Sequence, residues 1–222
     1  MNQSDLETLW KFVRGDLAAP DFEAWLYAHK ELDAALGNAL YLELISANYR
    51  HHEDVFDIRE KLRTSLQTPL KCECLPLSDL AVIPMGCDGL DQRFFASVEE
   101  VHACGPDLWW LHLSRCKVCG QNWMIAQEER IYDDYMLKRL TTEEARQIVE
   151  NGKWPDDFLT YEKVLKVGQA LSKACRFLDT MSFSLIDTIQ DLKRSRPDIT
   201  NAEMAALLGI TIEHVNALAK VS

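Results

Sequence analysis

A mostly helical α+β fold, with one small ribbon-like β-hairpin in the middle and a three-helix unit towards the C-terminal end, is the class this sequence predicts. Three observations lead there. Two cysteine pairs, Cys72-Glu73-Cys74 and Cys116-Lys117-Val118-Cys119, accompany a stretch of strand-forming residues. Apolar residues recur at helical spacing through most of residues 1–68. Thr200 to Val215 carries a cap, helix, glycine, cap, helix pattern.

Residues 1–68 read as a mainly helical region. Ser4 followed by Glu7 has the form of a capping box, and Leu6, Leu9, Trp10 and Val13 share one helical face before Gly15 ends the run. A second helix starts near Pro20-Asp21, with Phe22, Trp25, Leu26 and His29 on one side, and Gly37 stops the segment after it. Leu40 to Ser46 is a short apolar run that fits either a strand or a buried helical turn, and the strand is the expected form. Val55, Ile58, Leu62 and Leu66 mark another helix. His51 and His52 stand just ahead of it with no nucleophile or fixed carboxylate in view, so they read as exposed residues at a helix start.

Residues 69–158 hold the cysteine pairs. Cys116 and Cys119 are followed at once by Gly120, the residue that best accepts the left-handed backbone a metal knuckle needs. Strand formers flank this knuckle at Asp107–Ser114 and Asn122–Ala126, the layout of a zinc ribbon. Cys72 and Cys74 supply a second, more unusually spaced pair, and the 41 residues between Cys74 and Cys116 are tolerable because loop-closure entropy grows only logarithmically. Cys72, Cys74, Cys116 and Cys119 are therefore read as the ligands of one structural zinc. His102, Cys104, His112 and Cys87 are the competitors for a place in that shell. Four thiolates close a tetrahedron and leave no position for a reactive water, so the metal would hold the fold rather than catalyse.

The same region contains a Gly/Pro loop at Ile83–Gly89, a helix over Ser97–Cys104, and four of the six tryptophans: Trp109, Trp110, Trp123 and Trp154. Adjacent Trp109 and Trp110 on a strand face opposite ways, which leaves one of them available to a partner. The carboxylates of Glu128-Glu129 and Asp133-Asp134 lack the pattern of a calcium loop and read as a solvated acidic surface. Thr142 caps the next helix, which Gly152 ends.

Residues 159–222 read as all-helical. In Thr200–Val215, Ala205 permits close helix approach, Gly209 makes a turn, Ile210 plugs the core, Thr211 caps and Val215 faces inward, which resembles a helix-turn-helix. Its second helix would present Ile212, Glu213, His214, Asn216 and Ala217, with no arginine to read bases. Lys193, Arg194 and Arg196 offer only a small footprint for a phosphate backbone.

Thirty-five acidic against 24 basic residues give a formal net charge of −11, which disfavours phosphate backbones and anionic membranes and favours basic proteins. Seven cysteines, an odd number, suit reduced thiols and metal better than a disulfide framework. The polar, acidic start Met1–Glu7 predicts no secretion signal, and no apolar run approaches the roughly 20 residues of a membrane span, so the cytoplasm is expected. Gly-x-Ser-x-Gly, Gly-x-Gly-x-x-Gly and Gly-Lys-Ser/Thr motifs are absent, which predicts a non-enzymatic protein.

Phe22-Glu23-Ala-Trp25, Leu40–Ser46 with Tyr49-Arg50, and Trp154-Pro155 resemble patterns in bacterial immunity proteins, the cognate inhibitors of polymorphic toxins. The resemblance covers about residues 1–160 and leaves out the C-terminal helices. It implies a cytoplasmic protein that neutralises a toxin by binding it, and the acidic surface would suit a basic toxin domain. Two other readings stand beside it: a DNA-binding regulator using the C-terminal helices, and a zinc hydrolase in which one cysteine leaves the shell.

Overall fold

The computed structural model describes residues 1–66, 72–87, 89–108, 110–173, 175 and 181–220. They form two compact units, Met1–Asp79 and Leu80–Ser222. The protein is α+β and mostly helical.

The first unit is all-helical: α1 (Gln3–Arg14), α2 (Ala19–Ala28), α3 (Leu32–Leu36), α4 (Asn38–Ser46) and α5 (His52–Leu66). Asn2 caps α1 by accepting from the Asp5 amide, so the cap lies two residues ahead of Ser4, and Gly15 closes the helix as expected. Leu40–Ser46 is helical rather than a strand. Leu40, Tyr41, Leu44 and Ile45 fall at i, i+1, i+4 and i+5, a helical stripe that packs into the core of this unit. At the centre of that core Phe12 and Phe22 stack with centroids 3.8 Å apart, and Tyr49 donates its hydroxyl to the Leu44 carbonyl. Val55, Ile58, Leu62 and Leu66 are the buried face of α5, and His51 is exposed and bonded to Asp54.

The second unit is built on a five-stranded antiparallel sheet: β1 (Leu80–Pro84), β2 (Val98–Ala103), β3 (Leu111–Cys116), β4 (Asn122–Glu128) and β5 (Asp134–Leu140), in the order β1-β5-β4-β3-β2. Beyond the expected hairpin β3–β4, the sheet contains three further strands, β1, β2 and β5. The expected loop at Ile83–Gly89 begins with the end of β1. The expected helix over Ser97–Cys104 is instead the last residue of α6 (Leu90–Ser97) followed by β2. Val98, Val101 and their acidic neighbours sit on an edge strand whose bulge between Glu100 and His102 breaks the alternation that would have marked it. Strand β3 begins at Leu111, after a 3-10 turn over Pro106–Leu108; Trp110 precedes it, and Trp109 lies outside the described residues.

Strand alternation divides the sheet between two packing faces. On one side Trp123 meets Phe94 of α6 edge to face, 6.1 Å between centroids. On the other, Leu113, Met124, Ala126 and Met136 join one large apolar cluster with α7 (Thr142–Asn151), α8 (Tyr161–Ala170), α9 (Phe183–Ser195), α10 (Asn201–Leu208) and α11 (Ile212–Leu218). The 159–222 helices are therefore not a third unit: Val164, Ile189, Leu208 and Val215 are buried in the same core as the sheet. Thr141, one residue earlier than expected, caps α7 in a full capping box with Glu144, and Gly152 ends it.

The 128–134 segment departs furthest from the expected solvated surface. Glu129 and Asp133 are exposed, but Glu128 and Asp134 are only 1% and 0% exposed. Asp134 pairs with Lys173 at 2.9 Å. Glu128 folds back under its own turn and accepts from the amides of Arg130, Ile131 and Tyr132 and from the Tyr161 hydroxyl. Charge density in the sequence marked this turn as wet; the backbone donors of a tight turn and a buried tyrosine draw the carboxylate inside instead.

The turn also brings the buried Tyr132 ring against Gly168 of α8. A Cβ at Gly168 would stand 2.3 Å from Tyr132 Cε2, closer than any real contact. Gly168→Ala is expected to cost about 2–3 kcal/mol through overpacking, read as a lowered urea midpoint. An unchanged midpoint would mean that the ring can withdraw.

Candidate metal centre

The hairpin β3–β4 builds half of the site. Antiparallel pairing carries both strands to Arg115 opposite Asn122, and the chain reverses through Cys116–Gln121. The Cys116 amide donates to Gln121 O and the Gly120 amide to Cys116 O, each at 2.9 Å, with Gly120 at φ +76°. That left-handed residue lets the turn close behind Cys119. Gln121 ties the knuckle to β5, donating to Leu140 O at 3.0 Å and accepting from Arg139 at 2.8 Å. The Lys117 amide donates to Ser97 O at 2.8 Å.

Cys72 and Cys74 lie in the segment that closes the first unit, and a buried arginine anchors the chain just beyond them. Arg14, its side chain fully buried at the end of α1, donates to Leu75 O at 2.9 Å and pairs with Asp16 at 2.7 Å, Glu7 at 3.3 Å and Asp79 at 3.5 Å. The Asp79 amide in turn donates to Asp16. Arg14→Ala is expected to destabilise the first unit by about 2–3 kcal/mol, because it strips the mostly buried Asp16 carboxylate of its cation and the Leu75 carbonyl of its donor. Denaturation that leaves Arg14→Ala level with the parent would mean this anchor is dispensable.

The sulfurs of Cys72, Cys74, Cys116 and Cys119 all lie within 4.8 Å of one another. Cys74 and Cys116 are buried, Cys72 is half-buried and Cys119 is exposed. The four are close enough together to hold a metal ion. A tetrahedral thiolate shell with metal–sulfur bonds of about 2.3 Å needs edges of about 3.8 Å, so only small side-chain adjustments separate this cluster from a coordination sphere. The donor set is soft throughout, which suits zinc or another thiophilic metal and does not suit calcium or magnesium.

None of the competing residues belongs to that cluster. His102 stacks on Trp154 with centroids 6.1 Å apart. His112 is half-buried in β3, and burial pushes its pKa down. Cys104 is half-buried with its thiol pKa raised by burial, and Cys87 is exposed.

The helix-turn-helix-like segment has the local geometry its sequence calls for. Thr200 caps α10 in a capping box with Glu203, Gly209 ends it at φ +66°, Thr211 caps α11, and Ala205 and Val215 are buried. Ile210 is only partly buried against the core. The two arginines upstream are already engaged with carboxylates: Arg196 pairs with Glu162 at 3.0 Å and Glu203 at 2.7 Å, and Arg194 pairs with Asp191 at 2.6 Å. Ile212, Glu213, Asn216 and Ala217 are exposed on α11.

Among the described residues no helix is long and apolar enough to cross a membrane. Comparison of the chain with protein-family models, curated proteins and solved structures finds no match.

Proposed function

We propose that this chain is a zinc-stabilised, non-catalytic binding protein that acts in the cytoplasm as an immunity protein, neutralising a basic toxin domain by direct contact. The observation that carries the non-catalytic part is the gathering of four cysteine sulfurs within 4.8 Å. When bound, zinc would supply structural cross-linking there, held by Cys72, Cys74, Cys116 and Cys119. With every ligand position taken by sulfur, no water is left to be activated. Seven cysteines, an odd number, four of them gathered as metal ligands, fit a reducing compartment. The basic partner is suggested by the net charge of −11, which accelerates encounter with a cationic protein and opposes encounter with nucleic acid. The toxin identity rests on the immunity-protein resemblance of residues 22–25, 40–50 and 154–155.

A DNA-binding regulator is the second reading, favoured by the helix-turn-helix-like geometry of α10 and α11. Its weakness is electrostatic. Arg194 and Arg196 are engaged by Asp191, Glu162 and Glu203, and Glu213 would face the phosphates.

The test is purification of the tagged full chain from its native cells after nuclease treatment. The immunity reading expects a stoichiometric basic protein that arrests growth when expressed alone and is silenced by co-expression of this chain. A chain that returns alone and retains a specific duplex in a genome-wide binding assay would replace that reading with the regulator.

A further inference from the structure

Two adjoining clefts in the second unit, of about 330 and 350 Å³, share Trp110, Arg130 and Tyr161 in their walls. Tyr161 meets Trp110 edge to face, 6.1 Å between centroids, and the Arg130 guanidinium lies 4.9 Å above the Tyr161 ring. Arg130 is fixed there by Asp191 at 2.5 Å, which also accepts from Arg194. Glu129 and Asp187 line the first cleft, while Asp107 and Asp191 line the second. Four carboxylates therefore surround two guanidiniums, and both guanidiniums already bond to Asp191. The local charge left for an incoming group is negative.

An entering anion would meet Glu129 and Asp187 with Arg130 already committed. A cation would meet the same two exposed carboxylates beside the half-buried Trp110 ring. Aromatic faces and carboxylates together form the environment that guanidinium and ammonium groups prefer, because the ring quadrupole and the formal charges attract in the same direction. Arg130 over Tyr161, held by Asp191, is an internal example of that arrangement in the wall of the same cleft.

We propose that the first cleft seats an arginine or lysine side chain of a basic protein partner, with Trp110 as the aromatic wall and Glu129 and Asp187 as the charge partners. That the side chain comes from a protein rests on the binding-protein reading above; the cation selectivity of the cleft does not. Glu129 and Asp187 are exposed, so changing them to amides leaves the core untouched.

The test is a titration of the ¹⁵N-labelled full chain with acetyl-Gly-Arg-Gly-amide, with the citrulline peptide as neutral control. The expected result is a saturable shift of the Trp110 indole and Gln127 side-chain resonances with the arginine peptide only, and binding about tenfold weaker in the Glu129→Gln/Asp187→Asn variant. Equal response to the citrulline peptide, no saturable shift, or unchanged affinity in the double variant would overturn the proposal. The two readings fail separately. A purified toxin partner that binds the double variant as tightly as the parent removes this cleft from the interface and leaves the immunity reading standing. Peptide binding in the cleft with no protein partner in cells does the reverse.

Discussion

Changing Cys116 and Cys119 together to serine is expected to abolish metal binding and to destabilise the second unit by on the order of 4 kcal/mol, because the binding free energy of a structural zinc is largely folding free energy. The loss should be local at first. The knuckle's two backbone hydrogen bonds and the Gln121 anchors are the contacts that the metal would reinforce, whereas the apolar cluster beneath β4 and β5 contains neither cysteine. Protection of the Cys116–Gln121 amides against hydrogen exchange should therefore fall before that of Met124 or Met136. A chelator added to the parent protein should reproduce the variant. Identical denaturation curves for the double variant, the chelated parent and the untreated parent would remove the metal from any role in stability.

A comparably large effect is expected from Glu128→Ala. The carboxylate accepts from the Arg130 amide at 2.8 Å, from the Ile131 amide at 2.9 Å, and from the Tyr132 amide and the Tyr161 hydroxyl, all under a turn closed from water. Alanine would leave these donors without their acceptor. Each unsatisfied buried group costs about 1–3 kcal/mol, so a total near 4 kcal/mol or more is expected even after partial relaxation. Glu129→Gln, one residue along and exposed, should stay within about 0.5 kcal/mol of the parent. The Tyr161 partner adds a pH signature. Burial first, and the Glu128 charge second, raise its pKa far above the ordinary 10.0. A folded-state pKa raised above the unfolded value gives stability that is complete below the unfolded pKa and declines as pH rises past it. Urea midpoints should therefore fall above pH ~10 in the parent, and part of that decline should vanish in Tyr161→Phe. A Glu128→Ala protein as stable as Glu129→Gln would mean that water replaces the carboxylate at no cost.

The candidate site was legible because its signal is chemical and local: four cysteines in two close pairs, and a glycine directly behind the second. The helices with regular stripes, such as Val55-Ile58-Leu62-Leu66, were legible for the same kind of reason. What escaped was decided by tertiary context. Leu40–Ser46 is too short for periodicity to separate strand from helix until Leu44 is seen facing the Phe12–Phe22 core. Strand β2 is an edge with exposed Glu99, Glu100 and Val101, so no apolar alternation announces it. Glu128 and Asp134 could not be told from their exposed neighbours by charge. Only the turn amides, Tyr161 and Lys173, up to 39 residues further on (173 against 134), make burial tolerable. The same long-range pairing accounts for Arg130, whose partner Asp191 is 61 residues away.

The four-thiol cluster is tested most directly by the metal content of the full chain purified without chelators, with reactive thiols counted on the same sample. About one zinc per chain is expected, with four of the seven thiols protected until the metal is removed. Metal far below that ratio, with Cys72, Cys74, Cys116 and Cys119 all reacting freely in the folded protein, would contradict a structural zinc.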